Sequence, residues 1–293
     1  MEKIIYILTA AVLLFSNALF SQQESNFTLY RYHMNMVNPA YAGVDGQTVI
    51  TGSVRKQWNS IIDAPSTQAV SFGTCLGKNL GFGISVVNDK VFIEKQNVVG
   101  IDFSYKVKFD NVVDLYLGIK AGGAFYDVNT SGLRGDPNDP SLVSESTFNP
   151  NIGVGALLKS KNFFMSLSIP TLINSENSRN LIDTDRKIPV HKPHVYWSSG
   201  YDINLNPSAS LVLKPSFMLR YVNGSPVSVD FNTMLKIQQY IELGGMYRTG
   251  KTYAGILNFT VSKKLMAGYA YETTAVEFQG AGISHEFLIK FTL

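Results

Sequence analysis

The sequence predicts an all-β protein: a transmembrane outer-membrane β-barrel of about 14 antiparallel strands, with short periplasmic turns and longer extracellular loops. Three observations predict it. Apolar and polar residues alternate with a period of two in runs of roughly nine to thirteen residues. These runs number about 14, an even count that is typical of outer-membrane barrels. The links between them alternate between short and long, as they do in barrels with one periplasmic and one external rim.

The chain begins with a leader that is typical of a secretory signal peptide. A charged start precedes an apolar run from Ile4 to Phe20, and a polar stretch follows. Cleavage after Ala18 and cleavage just before Gln22 both fit, and we favour the second. The alternative is an uncleaved anchor, for which about 17 apolar residues is the short limit. We expect a signal peptide at 1–21, an N-terminal periplasmic or plug segment containing NPAYAG at 22–46, and the barrel at 47–293.

Alternation defines the strands of this barrel. Between 113 and 126, for example, Leu115, Leu117 and Ile119 fall on one face while Asp114 and Lys120 fall on the other. The predicted inward positions carry both signs of charge, which suggests ion-paired packing or a water-filled interior without strong ion selectivity. They include Asp102, Lys106, Asp114, Lys120, Lys214, Arg220, Asp230, Lys236, Glu286 and Lys290. We place the strands at 47–56, 67–76, 80–88, 97–108, 113–126, 151–159, 162–169, 194–203, 209–221, 226–236, 240–249, 252–262, 265–273 and 281–291.

The links after even-numbered strands are short, whereas those after odd-numbered strands include long ones at 127–150 and 170–193 and medium ones at 57–66 and 89–96. Pro215 lies inside a predicted strand, and because it cannot donate a ladder hydrogen bond it predicts a bulge or bend. The alternative fold is an exported β-sandwich. The strand lengths and the alternating links favour the barrel. So does the lone Cys75, which cannot form an internal disulfide.

Composition and motifs argue against several functions. Charged residues make up 16% of the chain, below the roughly 25% of soluble domains, and the net charge of +3 predicts no nucleic-acid partner. His191 and His194 lack further ligands with zinc spacing. The DPNDP stretch at 136–140 is better explained as a turn than as a calcium loop. Ser284 and His285 point to opposite faces of a strand, so they cannot form a nucleophile–base pair. We therefore expect no enzyme activity, no cofactor and no metal site.

Short motifs along the mature chain resemble the PorP/SprF family of outer-membrane proteins, which are associated with type IX secretion and gliding in Bacteroidota. They include NMVNPAYAG at 35–43, VRKQW at 54–58, LSIPTLIN at 167–174, LKPSF at 213–217 and GYAYE at 268–272. The resemblance implies a non-enzymatic barrel that helps to export a secreted cargo or adhesin or to hold it at the surface. The implied partners are a cargo with a C-terminal sorting domain, type IX periplasmic and outer-membrane components, and outer-membrane lipid.

Two groups of residues are candidate partner-binding sites. The first is the turn at Asn38, Pro39, Tyr41 and Gly43. It is a plug packed in the periplasmic mouth, a docking surface for a periplasmic partner, or both. The second comprises Arg55, Gln57 and Trp58 at the outer end of the first strand. It is either an interfacial girdle or a grip on cargo.

The alternative function is a porin-like or fatty-acid-type channel for small molecules. Its lumen would be open or gated, whereas a holder would bind a protein chain. Glycines on the inner face, such as Gly81, Gly83, Gly153 and Gly155, leave room inside the barrel or let its strands bend.

Overall fold

The protein is a closed antiparallel β-barrel. The computed structural model describes residues 26–58, 61, 63–108, 112–130, 144–173, 192–275 and 282–293. The strands are β1 (Val49–Gln57), β2 (Ser66–Cys75), β3 (Leu80–Val91), β4 (Glu94–Lys108), β5 (Asp114–Val128), β6 (Glu145–Lys159), β7 (Phe163–Ile169), β8 (His194–Tyr201), β9 (Ile203–Asn206), β10 (Leu211–Val222), β11 (Ser228–Ile237), β12 (Ile241–Arg248), β13 (Thr252–Ser262), β14 (Leu265–Thr274) and β15 (Ile283–Thr292). β1 pairs with both β2 and β15, which closes the ring.

The wall contains 14 strand positions, because β8 and β9 are two parts of one strand that is interrupted at Asp202. Both parts pair with β10, one along each half of it. The predicted all-β barrel of about 14 antiparallel strands is therefore confirmed. Large apolar side chains point outward, including Val54, Ile119 and Phe287, of which Phe287 is 58% exposed. This outer face is suited to contact with lipid.

Two predicted links are wrong in length. β3 and β4 continue to a tight turn at 92–93 in place of the medium link at 89–96, and β6 begins at Glu145, so the link after β5 spans 129–144. The outer ends of these strands are polar and lack the apolar alternation that marks a strand. Their main-chain pairing continues nevertheless, and the Asn88 and Asn97 side chains hydrogen-bond across it at 2.5 Å.

The bulge predicted at Pro215 does not lie in the pairing of β10 with β11. β10 runs through Pro215, which pairs with Thr233 of β11. The interruption lies in the opposite neighbour, where the strand splits at Asp202 beside the proline. Because proline has no N–H to donate, the pairing is lost on that side and the partner strand accommodates it. The shift in register occurs between Leu211 and Val212.

Residues 26–46 lie inside the lumen, and we call them the plug. Asn26 contacts Arg220 near the long-loop end, and Asp45 contacts Lys159 and Lys290 at the short-turn end. The plug contains three single-turn 3-10 helices, Tyr30–Tyr32, Met34–Met36 and Pro39–Tyr41. Among the described residues, no helix is long and apolar enough to cross a membrane.

The plug supplies the centre of the apolar core. Three buried clusters fill the lumen, and each contains plug residues together with inward side chains of the wall. Leu29 packs with Met234, Met246, Ala254, Ile256, Ala270 and Leu288; Phe27, Tyr30 and Met34 pack with Ala69, Tyr196 and Met218; and Ala40 packs with Tyr116 and Leu157.

Candidate functional site

The outer half of the lumen holds a buried charge network that binds the start of the plug. Arg55 of β1 is 1% exposed, and its Nη2 donates to Glu272 Oε1 at 2.6 Å. Its Nη1 donates to Thr28 Oγ1 at 3.0 Å and lies 3.7 Å from Glu286 Oε2. The Thr28 hydroxyl in turn donates to Glu272 Oε2 at 2.7 Å. One guanidinium thus joins two strands of the wall to the plug.

The plug backbone completes the coordination of Glu286. The N–H of Thr28 donates to Glu286 Oε2 at 2.7 Å, and the N–H of Leu29 donates to Oε1 at 3.3 Å. Glu286 is 0% exposed, so its charge depends on these donors and on Arg55. Burying a carboxylate is unfavourable unless it is paired and hydrogen-bonded. Without the plug, Glu286 would lose two of its hydrogen bonds.

The network extends across β10, β11 and β12. Arg248 donates from Nε to Asp230 Oδ1 at 2.8 Å and lies 3.5 Å from Glu272. Arg220 donates to the same Asp230 oxygen at 2.6 Å and also to Asn26 of the plug. The inward charges are therefore paired with one another and with the plug, which corresponds to the ion-paired packing that the mixed charges suggested.

His33 lies next to this network in the plug. It is 3% exposed, and its Nε2 is 4.0 Å from Glu286 Oε1. Burial, together with the positive charge of Lys290, lowers the pKa of His33 from 6.5 to about 3. His33 is therefore neutral at physiological pH, and charging it would disfavour its buried position.

The NPAYAG turn is fitted to the wall in the inner half of the lumen. Asn38 is 0% exposed; its Oδ1 accepts from the N–H of Ala40 at 2.9 Å, and its Nδ2 donates to the carbonyl of Ala156 at 3.2 Å. A Cβ at Gly118 would collide with the backbone of Pro39 and Ala40, and one at Gly155 would collide with Asn38. Because these inward glycines lack side chains, they leave the space that the turn occupies.

The end of the same turn packs as closely against β2 and β3. Gly43 has φ +70°, a left-handed conformation that favours glycine, and an added Cβ would strike the carbonyl of Thr74. A Cβ at Gly81 would strike the carbonyl of Ala42, which also accepts a hydrogen bond from Ser104 Oγ at 2.6 Å. The exit of the plug into β1 is thus fixed by contacts between backbones.

The last plug contacts lie at the short-turn mouth. Asp45 is bound by Lys290 Nζ at 3.4 Å and by Lys159 Nζ at 3.7 Å. Burial opposes ionisation of Asp45, but the two lysines outweigh it and hold the pKa of Asp45 below its ordinary value. The plug is therefore anchored at both ends by charge and in the middle by packing.

The structure separates the two predicted residue groups. Asn38, Pro39, Tyr41 and Gly43 lie together in the inner half of the lumen, and Tyr41 packs against two of the apolar clusters. Arg55 is buried in the charge network, which gives it a structural role. Gln57 is half-buried, and Trp58 is 39% exposed where β1 ends. Of the seven residues, only Trp58 presents a large side chain to the outside.

Sequence reasoning missed how Thr28 and Glu272 take part in the network. Glu272 was noted only as part of the GYAYE motif at 268–272, and no local sequence pattern predicts the role of Thr28. Glu286, by contrast, belonged to the predicted inward charges, and its burial confirms that orientation.

Several motifs give no catalytic geometry. Ser284 is 3% exposed on the inner face, while His285 Nδ1 bonds the Tyr269 hydroxyl at 2.9 Å, so the expected separation of Ser284 and His285 is confirmed. Within the described ranges, no group of three His, Cys, Asp or Glu residues could hold a metal ion. His191 and the stretch 136–140 lie outside the described residues, as does the predicted signal peptide.

Comparisons with known proteins agree with this architecture. The family model described as type IX secretion system membrane protein PorP/SprF matches residues 19–291. Among solved structures, the fold is similar to Omp33 of Acinetobacter baumannii, with TM-score 0.50 and 10% identity, covering 84% of this chain and 98% of that one. It is also similar to the toluene transporter TbuX of Ralstonia pickettii, with TM-score 0.51 and 9% identity, covering 88% and 93%. A search of curated proteins finds no match.

Proposed function

Because the chain belongs to the PorP/SprF family of type IX secretion system membrane proteins, we propose that this outer-membrane barrel helps to export a secreted cargo protein or adhesin or to anchor it at the cell surface. The proposed partners are a cargo with a C-terminal sorting domain and other type IX components. The observation that carries the proposal is the occupied lumen. The plug crosses it from Asn26 to Asp45, so the barrel in this state offers surfaces for partners rather than a bore.

The alternative is a channel for small molecules, which the barrel fold shared with TbuX would suit. An apolar cavity of about 140 Å³ does lie between the plug residues Phe27 and Met36 and the inner face of β4 and β5. Ligand pockets usually measure about 300–1,000 Å³, so this space is small even for a compact solute. The plug also lies across its route to the short-turn mouth. We therefore favour the holder over the channel.

Trp58 is the best candidate for an outer contact. It is 39% exposed at the long-loop rim, where a cargo held at the surface would lie. The second tryptophan, Trp197, is 41% exposed on the outward face of β8, where its ring packs edge-on against Phe217 at 5.0 Å. The two side chains match in type and exposure, but one lies at the rim and the other on the wall.

The test is a gentle detergent pull-down of a tagged copy from its native outer membrane, followed by mass spectrometry of the retained proteins. We expect a large secreted protein with a C-terminal sorting domain, or other type IX components, to be recovered. Trp58→Ala should reduce cargo recovery, whereas the matched variant Trp197→Ala should not. A solitary barrel that passes ions in planar bilayers would overturn the proposal and establish the channel.

A further inference from the structure

The short-turn mouth contains a vestibule that the plug anchors leave open. It consists of two adjoining cavities of about 310 and 790 Å³, which share Lys161, Asn162, Asp202 and Lys214. Short turns face the periplasm in outer-membrane barrels, so the vestibule opens to that side. Tyr41 and Gly43 of the plug line its upper wall. A molecule that enters from the periplasm can therefore dock there but meets the plug above it.

The vestibule carries an excess of positive charge. Six cationic side chains lie near three carboxylates, so the vestibule has three more positive than negative charges. One of the carboxylates, Glu242, lies behind the lining and pairs with Lys214. The cations are Arg31, Lys159, Lys161, Lys214, Lys236 and Lys290, and the carboxylates are Asp45, Asp202 and Glu242. An excess of one sign of charge at a mouth raises the local concentration of ions of the opposite sign.

The internal ion pairs leave some of these cations available. Asp45 is shared by Lys159 and Lys290, and Glu242 is shared by Lys214 at 3.0 Å and Lys236 at 4.0 Å. The side chains of Lys159 and Lys236 are each 38% exposed. Lys161 is exposed, and within the described residues it makes no ion pair. Lys159, Lys161 and Lys236 can therefore bind a further anion without breaking the wall.

We propose that the vestibule binds an acidic peptide segment of a periplasmic protein. This inference rests on the proposed function and gives the chemistry of one of its partners. The cations come from different sides of the mouth, β6 and its turn, β10 with β11, and β15, so a chain with several carboxylates fits them better than one compact anion. Asn162, Asn204 and Gln238 add amide groups that can bond a peptide backbone. Lipid headgroups lie outside the barrel wall and do not reach the lumen.

The test is a titration of the full chain, in nanodiscs of zwitterionic lipid, with a fluorescein-labelled peptide that alternates aspartate and serine. A second peptide with asparagine in place of aspartate is the control. We expect the acidic peptide alone to raise the fluorescence anisotropy. Raising NaCl from about 0.1 M to about 1 M, which shortens the Debye length from about 10 Å to about 3 Å, should abolish binding.

Lysine variants locate the site. Lys161→Gln and Lys236→Gln should each weaken binding about two- to fivefold, in line with exposed ion pairs, and combining them with Lys159→Gln should remove it. Lys263→Gln is the matched control, because Lys263 is an exposed lysine on the β13–β14 turn at the same rim, outside the vestibule. The control should bind the peptide as the native chain does.

Three results would overturn the inference: equal binding of both peptides, equal weakening by Lys263→Gln and Lys161→Gln, or displacement by inorganic phosphate well beyond that by NaCl of the same ionic strength. The last would mark a simple anion site. The titration and the pull-down can fail separately. Cargo recovery without peptide binding overturns only the peptide site in the vestibule. Peptide binding without recovery of a cargo or of type IX components overturns only the holder function.

Discussion

Replacing Arg55 by methionine should release the plug while leaving the barrel wall intact. Methionine removes the guanidinium but keeps much of the side-chain volume. Glu272 would still have Arg248 at 3.5 Å. Glu286 would be left, among the described residues, with the plug N–H groups and neutral His33, while it remains 0% exposed. Its charge would regain solvation if the plug withdrew and admitted water.

The free-energy cost of Arg55→Met follows from the burial of its ion pairs. Breaking a buried ion pair by removing one partner costs about 3–5 kcal/mol. If this free-energy cost opposes docking of the plug, the ratio of docked to undocked chains decreases roughly a hundredfold to several-thousandfold. The wall has no reason to unfold, because its ladder on either side of Arg55 is main-chain pairing with β2 and β15. We therefore expect an open but folded barrel.

Ion conductance in planar bilayers measures the opening, and heat-dependent mobility in gels measures the fold. Arg55→Met should conduct where the native chain does not, and adding Glu286→Gln should partly restore closure, because it removes the unpaired charge. Lys56→Met, one residue along on the outward face, is the control. If Arg55→Met stays as closed as Lys56→Met, Arg55 does not hold the plug.

Three further predictions concern the plug. Gly81→Ala should destabilise docking of the plug by about 1–3 kcal/mol, because the added Cβ meets the fixed carbonyl of Ala42. Gly255→Ala is the control, because its added Cβ meets open space. Equal thermal melting temperatures of the two variants would refute the prediction. Asn38→Ala should cost about 1–2 kcal/mol through the lost cap and make the plug more sensitive to protease; unchanged cleavage would contradict it. The pKa of His33 is lowered from 6.5 to about 3, so docking is fully favoured above about pH 6.5 and weakens as pH falls towards 3. Conductance should rise over that range and respond less to pH in His33→Gln; identical profiles would exclude His33.

The strands of the wall could be predicted from the sequence because the pattern that defines them lies within each short segment of the chain. Alternation assigns each residue to the lipid or the lumen, and Asp102, Asp230 and Glu286 were placed inward on that basis and are buried. The outer ends of β3 and β6 were missed because their polar residues lack the apolar alternation that marks a strand. The irregularity at Pro215 was expected in its own strand and lies in the neighbouring one, because the pattern of one strand carries no information on its partner.

The plug contacts are non-local, which is why the sequence did not reveal them. Asn38 bonds a carbonyl 118 positions away, and the N–H of Thr28 bonds a carboxylate 258 positions away. The inner-face glycines left two explanations open, room inside or strand bending. At Gly81, Gly118 and Gly155 the room is filled by the backbone or side chains of the plug. The division of the chain at 21 and 46 stays a prediction.

Closure and partner binding depend on different residues, so they can be separated by experiment. The closed state depends on buried groups such as Arg55, Glu286 and Asn38, which no partner can reach while the plug is docked. The partner contacts that we propose use exposed groups at the two rims, Trp58 outside and Lys161 inside. A variant that opens the barrel without changing cargo recovery would show that closure is not required for holding. A rim variant that loses a partner while staying closed would show that the rims act on their own.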